Sequence, residues 1–219
     1  SFEGFDKKGD NVYYTSTEVS PLERHYYKHN IKTGKKVKLT KQHGTHSVMP
    51  SASGKYFLDS YSSTDVARNV DLMDVNGKMV ARLHEAEDPL KEYNIGTIEL
   101  GTLEAEDGQT LYTRLIKPYN FDENKKYPVI IYVYGGPHAQ LITDEWTAGA
   151  GIYLHYLSQE GFIVFTLDNR GSADRGEAFE QVIHRQCGQA EMRDQKVGID
   201  YLKSLPYVDA DRIGTDGWS

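Results

Sequence analysis

The stretch Asp211-Arg212-Ile213-Gly214-Thr215-Asp216-Gly217-Trp218-Ser219 reads as a β-strand running into a tight turn. Gly-x-Ser is the first half of Gly-x-Ser-x-Gly, the strand-turn-helix elbow that holds a serine hydroxyl clear of the carboxyl edge of a sheet. Gly217 suits such a turn, because two chain segments approach where a β-carbon would clash, and Ser219 would occupy the strained apex. A lone tripeptide also fits an ordinary turn carrying a stray serine, so the weight falls on what precedes it.

Upstream, apolar runs alternate with helical periodicity. Val129-Ile130-Ile131-Tyr132-Val133-Tyr134 is a continuous apolar run of the kind found in a strand buried on both faces, and Gly135-Gly136-Pro137-His138 follows it at once. Trp146, Ala150, Tyr153 and Leu157 recur at helical spacing and predict a packed helix. Phe162 to Leu167 is the next buried strand, ending in Asp168-Asn169-Arg170-Gly171-Ser172. Val197, Tyr201, Leu202 and Leu205 mark an amphipathic helix over Gln189 to Leu205, stopped by Pro206, and Asp211 to Gly217 is the third strand. Strand, helix, strand, helix, strand implies a parallel sheet, whose sites lie at the carboxyl ends of its strands. Tyr134 and Ser219 both fall at such ends. A tyrosine there could simply pack in the core, but the Gly-Gly-Pro loop directly after it favours a site. Before this pattern, Ile95 to Leu103 and Thr110 to Ile116 form a hairpin across Glu106-Asp107-Gly108.

Residues 1 to 93 read as short strands that repeat. Gly9 precedes Val12-Tyr13-Tyr14-Thr15-Ser16, and 45 positions later Gly54 precedes Tyr56 to Tyr61. Gly34 and Gly77, 43 positions apart, each precede a lysine in hairpin turns that need positive φ. A period of roughly 40 to 45 residues with several strands per repeat is that of β-propeller blades, and two blades do not close a ring. Glu85 to Tyr93 is a polar linker, so the expected domains are 1–93 and 94–219. His25, His29, His43 and His46 match no tetrahedral metal spacing, and strand alternation places His25 and His29 on one solvated face.

The chain of 219 residues carries a net charge of -7, and its 25 Lys and Arg form no basic stripe, which argues against a nucleic-acid partner. Sixteen tyrosines suit β-rich structure with half-buried faces. No apolar run of about 18 residues is present to span a membrane, and Ser1-Phe2-Glu3-Gly4 does not open a signal peptide. The single cysteine, Cys187, excludes an internal disulfide and reads as a packing residue rather than a nucleophile.

Four ordered motifs then point to a family. Tyr132-Val133-Tyr134-Gly135-Gly136-Pro137-His138-Ala139-Gln140, Asp168-Asn169-Arg170-Gly171-Ser172-Ala173, Phe179 to Arg185 with Gly188 to Gln195, and the final Gly217-Trp218-Ser219 resemble the dipeptidyl peptidase IV branch of the prolyl oligopeptidase family. Within it they are similar to the bacterial prolyl tripeptidyl aminopeptidases. The resemblance implies a fold of class β plus α/β: the last two blades of a β-propeller followed by the N-terminal half of an α/β-hydrolase domain. It implies a serine exopeptidase that releases N-terminal di- or tripeptides after proline, acting on short peptides with a free N-terminus. Ser219 matches the nucleophile and Tyr134 the tyrosine that helps hold the oxyanion; Trp218 and Asn169 match supporting positions, and Cys187 replaces a leucine. No cofactor or metal is implied. A homodimer is allowed, and a bacterial periplasm or cell surface is the location the family suggests.

The implied chemistry is acyl transfer, in which Ser219 attacks the carbonyl after proline and a histidine oriented by a carboxylate takes its proton. In this fold the order is Ser, then Asp, then His, so His138, His155 and His184 are expected to be structural, and residues 1–219 alone are expected to be inactive. Two alternatives stay open: a non-catalytic module whose blades and sheet form a binding surface, and an esterase or acylaminoacyl peptidase on the same fold.

Overall fold

The computed structural model describes residues 1–218; Ser219 lies outside them. The chain folds as two compact units, one of Ser1–Pro89 with Thr143–Thr147, the other of Leu90–Ile142 with the residues from Ala148 onward.

In the first unit, β1 (Phe2–Phe5), β2 (Asn11–Ser16), β3 (His25–Asn30) and β4 (Lys36–Lys38) form an antiparallel sheet in chain order. β5 (Thr45–Pro50), β6 (Tyr56–Ser63), β7 (Val66–Asp74) and β8 (Met79–Glu85) repeat that meander. The last hairpin of each sheet turns at a left-handed glycine, Gly34 at φ 71° and Gly77 at φ 78°, where an L side chain would be strained. A second four-stranded meander following the first is how propeller blades are built. Tyr26, Leu39, Phe57 and Met73 form one buried cluster, with Tyr13 and Val48 packed against it.

One strand-face assignment is overturned here. His25, expected on a solvated face, is fully buried, while His29 is half-buried. Alternation along β3 does not reveal that its start abuts β5: Arg24 bridges to Thr45, and the His25 ring lies 5.0 Å from that of His46. Burial is tolerated because both ring nitrogens have partners, Thr40 Oγ1 at 3.0 Å and Glu23 Oε2 at 2.8 Å. Burial holds the His25 pKa below its ordinary value. Thr143–Thr147 joins this unit through backbone groups and one carboxylate. The Asp144 amide donates to the Leu22 carbonyl at 2.8 Å, and its side chain accepts from the Thr64 amide at 2.9 Å. His43 Nδ1 lies 2.8 Å from Asp144 Oδ2, and its Nε2 lies 3.2 Å from Asp65.

In the second unit, β9 (Thr97–Glu104) and β10 (Thr110–Lys117) pair antiparallel across a turn with Gly108 at φ 81°. There follow β11 (Tyr127–Tyr132), α1 (Ile152–Gln159), β12 (Ile163–Leu167), the short α2 (Glu177–Glu180), α3 (Ala190–Ser204) and β13 (Val208–Asp216). The sheet order is β13-β11-β12-β10-β9, with β11 parallel to both β12 and β13. Every residue of β12 is buried. In β11 only Tyr127, Val129 and Ile131 are buried; the alternate residues are half-buried, so the expected burial on both faces is incomplete. The reason is uneven cover. One face carries the main cluster, with Val129, Ile131, Phe165, Leu167 and Leu202, whereas on the other a smaller cluster gathers Leu154 of α1 with Ile116 and Val164.

Two helix expectations also change. Trp146 to Leu157 is not one helix: Trp146–Gly149 is a single 3-10 turn, Thr147 (φ 59°), Ala148 (φ 53°) and Gly149 (φ 75°) adopt left-handed conformations, and α1 starts only at Ile152. Its buried residues are Leu154, His155 and Ser158, while Tyr153 is exposed. α3 has its expected extent, but its buried side chains include Glu191, Asp194 and Gln195 beside Leu202. Gly198 lets it sit close to β12, since a β-carbon there would be 3.0 Å from the Phe165 ring.

Candidate active site

The carboxyl ends of three parallel strands bring together the chain segments after Tyr132, Leu167 and Asp216. β13 reaches β11 in register Tyr132 opposite Asp216, and the Val133 amide extends the ladder by donating to the Asp216 carbonyl at 2.9 Å. Immediately beyond, Gly217 packs on the backbone just past β11 so closely that a β-carbon would lie 2.1 Å from the Val133 carbonyl oxygen. Its amide donates to Asp216 Oδ1 at 2.8 Å. The Gly-x-Ser turn therefore begins against the residue that precedes Tyr134. Trp218 is 83% exposed among the described residues.

Tyr134 is half-buried, two residues past the end of β11. Gly135 follows at φ 75°, and the Tyr134 ring folds back over Gly136, where an added β-carbon would stand 3.2 Å from the ring and 3.6 Å from the hydroxyl oxygen. The two glycines serve different needs, one a backbone turn and the other room for a ring.

The loop after β12 fixes this edge with three consecutive side chains. Asp168, 6% exposed, accepts from the amides of Leu141 and Ile142, each at 3.0 Å. Desolvation raises its pKa to about 6 despite those two donors. Asn169, 1% exposed, donates through Nδ2 to the Arg170 carbonyl at 2.7 Å and to the Gly135 carbonyl at 3.3 Å, and its Oδ1 accepts from Gln195 Nε2 at 3.1 Å. Arg170 forms a buried bidentate pair with Asp194, with contacts of 2.7 to 3.0 Å, and its Nη1 donates to Asp107 at 2.7 Å. Those bonds push the guanidinium pKa above its ordinary value. Deeper in the unit, Arg114 donates to the Leu141 carbonyl at 2.8 Å and the Ala148 carbonyl at 2.6 Å, and burial lowers its pKa to about 10.

The structure thus gathers Tyr134, Gly135, Asn169 and Gly217 at one sheet edge, while Ser219 lies outside the described residues. The three histidines do not share one structural role. His138 is exposed and pairs with Glu180 at 2.9 Å, and His184 is exposed. His155 is buried on α1, where desolvation lowers its pKa. Cys187 is exposed rather than packed, because Gln181–Ile183 forms one 3-10 turn and the chain then runs irregularly along the surface to Gly188. It borders an open concavity of about 890 Å³ with Pro137, His138, Glu180 and Ile183, whose lining does not include Tyr134. Asp194 and Gln195 fall within the Gly188 to Gln195 motif, but sequence reading assigned neither a role. Their positions, with Glu191, Gly198 and Leu202, recur at helical spacing, a signal hidden by their polarity. Among the described residues no three His, Cys, Asp or Glu side chains are placed to hold a metal ion.

Comparison with known proteins bears on this arrangement. Residues 1–68 match the profile of the dipeptidyl peptidase IV N-terminal region, and residues 151–219 that of the prolyl oligopeptidase family. Mouse dipeptidyl peptidase 8 is 33% identical over 220 residues, covering 95% of this chain and 24% of that protein. A crystal structure described as a candidate dipeptidyl aminopeptidase IV from Bacteroides ovatus superposes with a TM-score of 0.91 at 43% identity, over 100% of this chain and 31% of that one. Dipeptidyl peptidase 4 of Porphyromonas gingivalis gives a TM-score of 0.91 at 32% identity, again over 100% of this chain and 31% of that one. The chain therefore spans about a quarter of the length of the mouse relative. With propeller-type sheets under one profile, a hydrolase-type sheet under the other and structural likeness along its whole length, the chain belongs to the prolyl oligopeptidase family, in its dipeptidyl peptidase IV branch.

Proposed function

We propose that the complete protein is a serine exopeptidase releasing N-terminal di- or tripeptides after proline, with Ser219 as nucleophile and Tyr134 as a donor to the oxyanion. Residues 1–93 would supply the last propeller blades and residues 94–219 the first part of the hydrolase domain. The observation that carries the reading is the packing of Gly217 on the Val133 backbone, which sets the start of the Gly-x-Ser turn beside the loop bearing Tyr134. A carbonyl seated between them would be attacked by Ser219 Oγ, whose proton passes to a histidine that follows Ser219 in this fold's chain order. Negative charge then develops on the carbonyl oxygen, where the Tyr134 hydroxyl stabilises it in the transition state more than in the ground state. The tetrahedral intermediate collapses as the histidine passes that proton to the leaving amine and the peptide bond after proline breaks; water, deprotonated by the same histidine, then attacks the acyl-enzyme, and the proton returns to Ser219 Oγ as the peptide product leaves.

Assay of the complete protein on Gly-Pro and Ala-Ala-Pro p-nitroanilides tests this. Release of nitroaniline from either, abolished by Ser219→Ala, supports the reading; turnover of simple esters alone, with both peptides untouched, would replace it with an esterase.

A further inference from the structure

We propose that Asn169 and Gln195 are positioning residues that hold the Tyr134 loop in its reactive conformation. The inference rests on the reading of Tyr134 as an oxyanion donor and adds to it a connected path from helix α3 to that tyrosine. Gln195 Nε2 donates both to the Leu167 carbonyl at 3.2 Å and to Asn169 Oδ1 at 3.1 Å, which fixes the orientation of the Asn169 amide. The amide nitrogen of Asn169 then points at oxygens only, the carbonyls of Arg170 and Gly135. Gly135 is the residue immediately after Tyr134 and sits at φ 75°, so its peptide orientation governs where the tyrosine leaves the strand.

Three features separate this path from ordinary packing. Asn169 is 1% exposed and Gln195 8% exposed, so neither bond competes with bulk water. Gln195 Oε1 has no hydrogen-bond partner among the described residues, so the two Nε2 bonds are the ones that hold this side chain. The neighbouring side chains do other things: Asp168 holds Leu141 and Ile142, and Arg170 holds Asp194. Among the described residues, Asn169 is the one of the three whose side chain bonds to the Tyr134–Gly136 segment. An aspartate at 169 would keep the shape and still accept from Gln195, but would set a carboxylate oxygen against the Gly135 and Arg170 carbonyls, repelling what the amide attracts.

The test is a double-mutant cycle in the complete protein, with kcat and KM for Gly-Pro and Ala-Ala-Pro p-nitroanilides measured in wild type, Asn169→Asp, Tyr134→Phe and the double variant. A displaced Tyr134 hydroxyl should lower kcat of Asn169→Asp by about 10- to 100-fold with KM nearly unchanged. In the Tyr134→Phe background, Asn169→Asp should then lower kcat no further, because the group it positions is gone. Gln195→Met, similar in length and unable to donate, enters the same cycle and carries the test if Asn169→Asp does not fold. Equal fold-losses in both backgrounds, with Tyr134→Phe itself impaired, overturn the positioning role and leave the functional reading standing. A Tyr134→Phe enzyme with undiminished kcat overturns both.

Discussion

Gly217 and Val133 touch backbone to backbone: a β-carbon on the glycine would lie 2.1 Å from the valine carbonyl oxygen. No side-chain rotation relieves such a contact, because the obstructing atom is a backbone carbonyl oxygen, that of the residue just past β11. Gly217→Ala must therefore part the ends of β13 and β11 and break the 2.9 Å bond from the Val133 amide to the Asp216 carbonyl. We expect a loss of about 1–3 kcal/mol, read as a lower thermal midpoint of the complete protein, together with loss of peptidase activity. Gly151→Ala is the control, since that glycine has φ −69° and open space where a β-carbon would go. Equal midpoints for the two variants would show that the Gly217 contact is not a constraint.

Tyr134→Phe removes a hydroxyl and little else. If the hydroxyl meets developing charge, kcat should fall by about 10² or more with KM nearly constant, as when one oxyanion donor is lost. Steady-state kinetics on the two nitroanilides decide it, and an unchanged kcat would make Tyr134 a packing residue.

The Arg170–Asp194 pair is predicted to matter to stability through what its loss would strand. Both side chains are almost wholly buried, 4% and 1% exposed. Asp194→Leu leaves a buried guanidinium without its bidentate partner and should destabilise by about 3–5 kcal/mol. The Asp107 and Glu106 contacts that remain are to half-exposed carboxylates and compensate weakly. Urea unfolding of the complete protein measures this; a change within about 0.5 kcal/mol would mean that the pair does not anchor α3 to the loop after β12.

Much of this architecture is legible in the sequence. The repeat glycines locate both hairpins, the apolar runs locate β11 and β12, and Gly135, Gly136 and Gly217 mark close approaches that the structure contains. What failed has a common cause: the pattern of one segment does not say what another segment lays against it. His25 alternates like a surface residue and is buried by β5; Trp146 has helical spacing but precedes a run of left-handed residues; Asp194 and Gln195 carry no apolar signal of the burial that ties their helix to the strand ends. Polar side chains that satisfy buried loops carry no hydrophobic signal, so the support of the candidate site was the least readable part. Asn169 is the exception, read as a supporting position from its motif and found bonded to the Gly135 carbonyl.

His43 gives a pH prediction. Its bond to Asp144, with Asp65 nearby, raises its pKa above the ordinary 6.5. A histidine whose folded pKa is raised stabilises fully below its unfolded value, and that contribution is lost as pH rises through the folded value. The stability advantage of wild type over His43→Gln should be greatest near about pH 5.5 and shrink by about pH 8.5, as read from urea midpoints at each pH. An advantage that grows with pH would contradict the charged pairing.

On the proposed reading, the turn opened by Gly217 presents Ser219 as the attacking group. Treating the complete protein with a fluorophosphonate and mapping the adduct by peptide mass spectrometry tests it most directly. One covalent adduct is expected, on Ser219, and its formation abolishes hydrolysis of the prolyl nitroanilides; an adduct on a different serine, or full inhibition with Ser219 unmodified, would rule out Ser219 as the nucleophile.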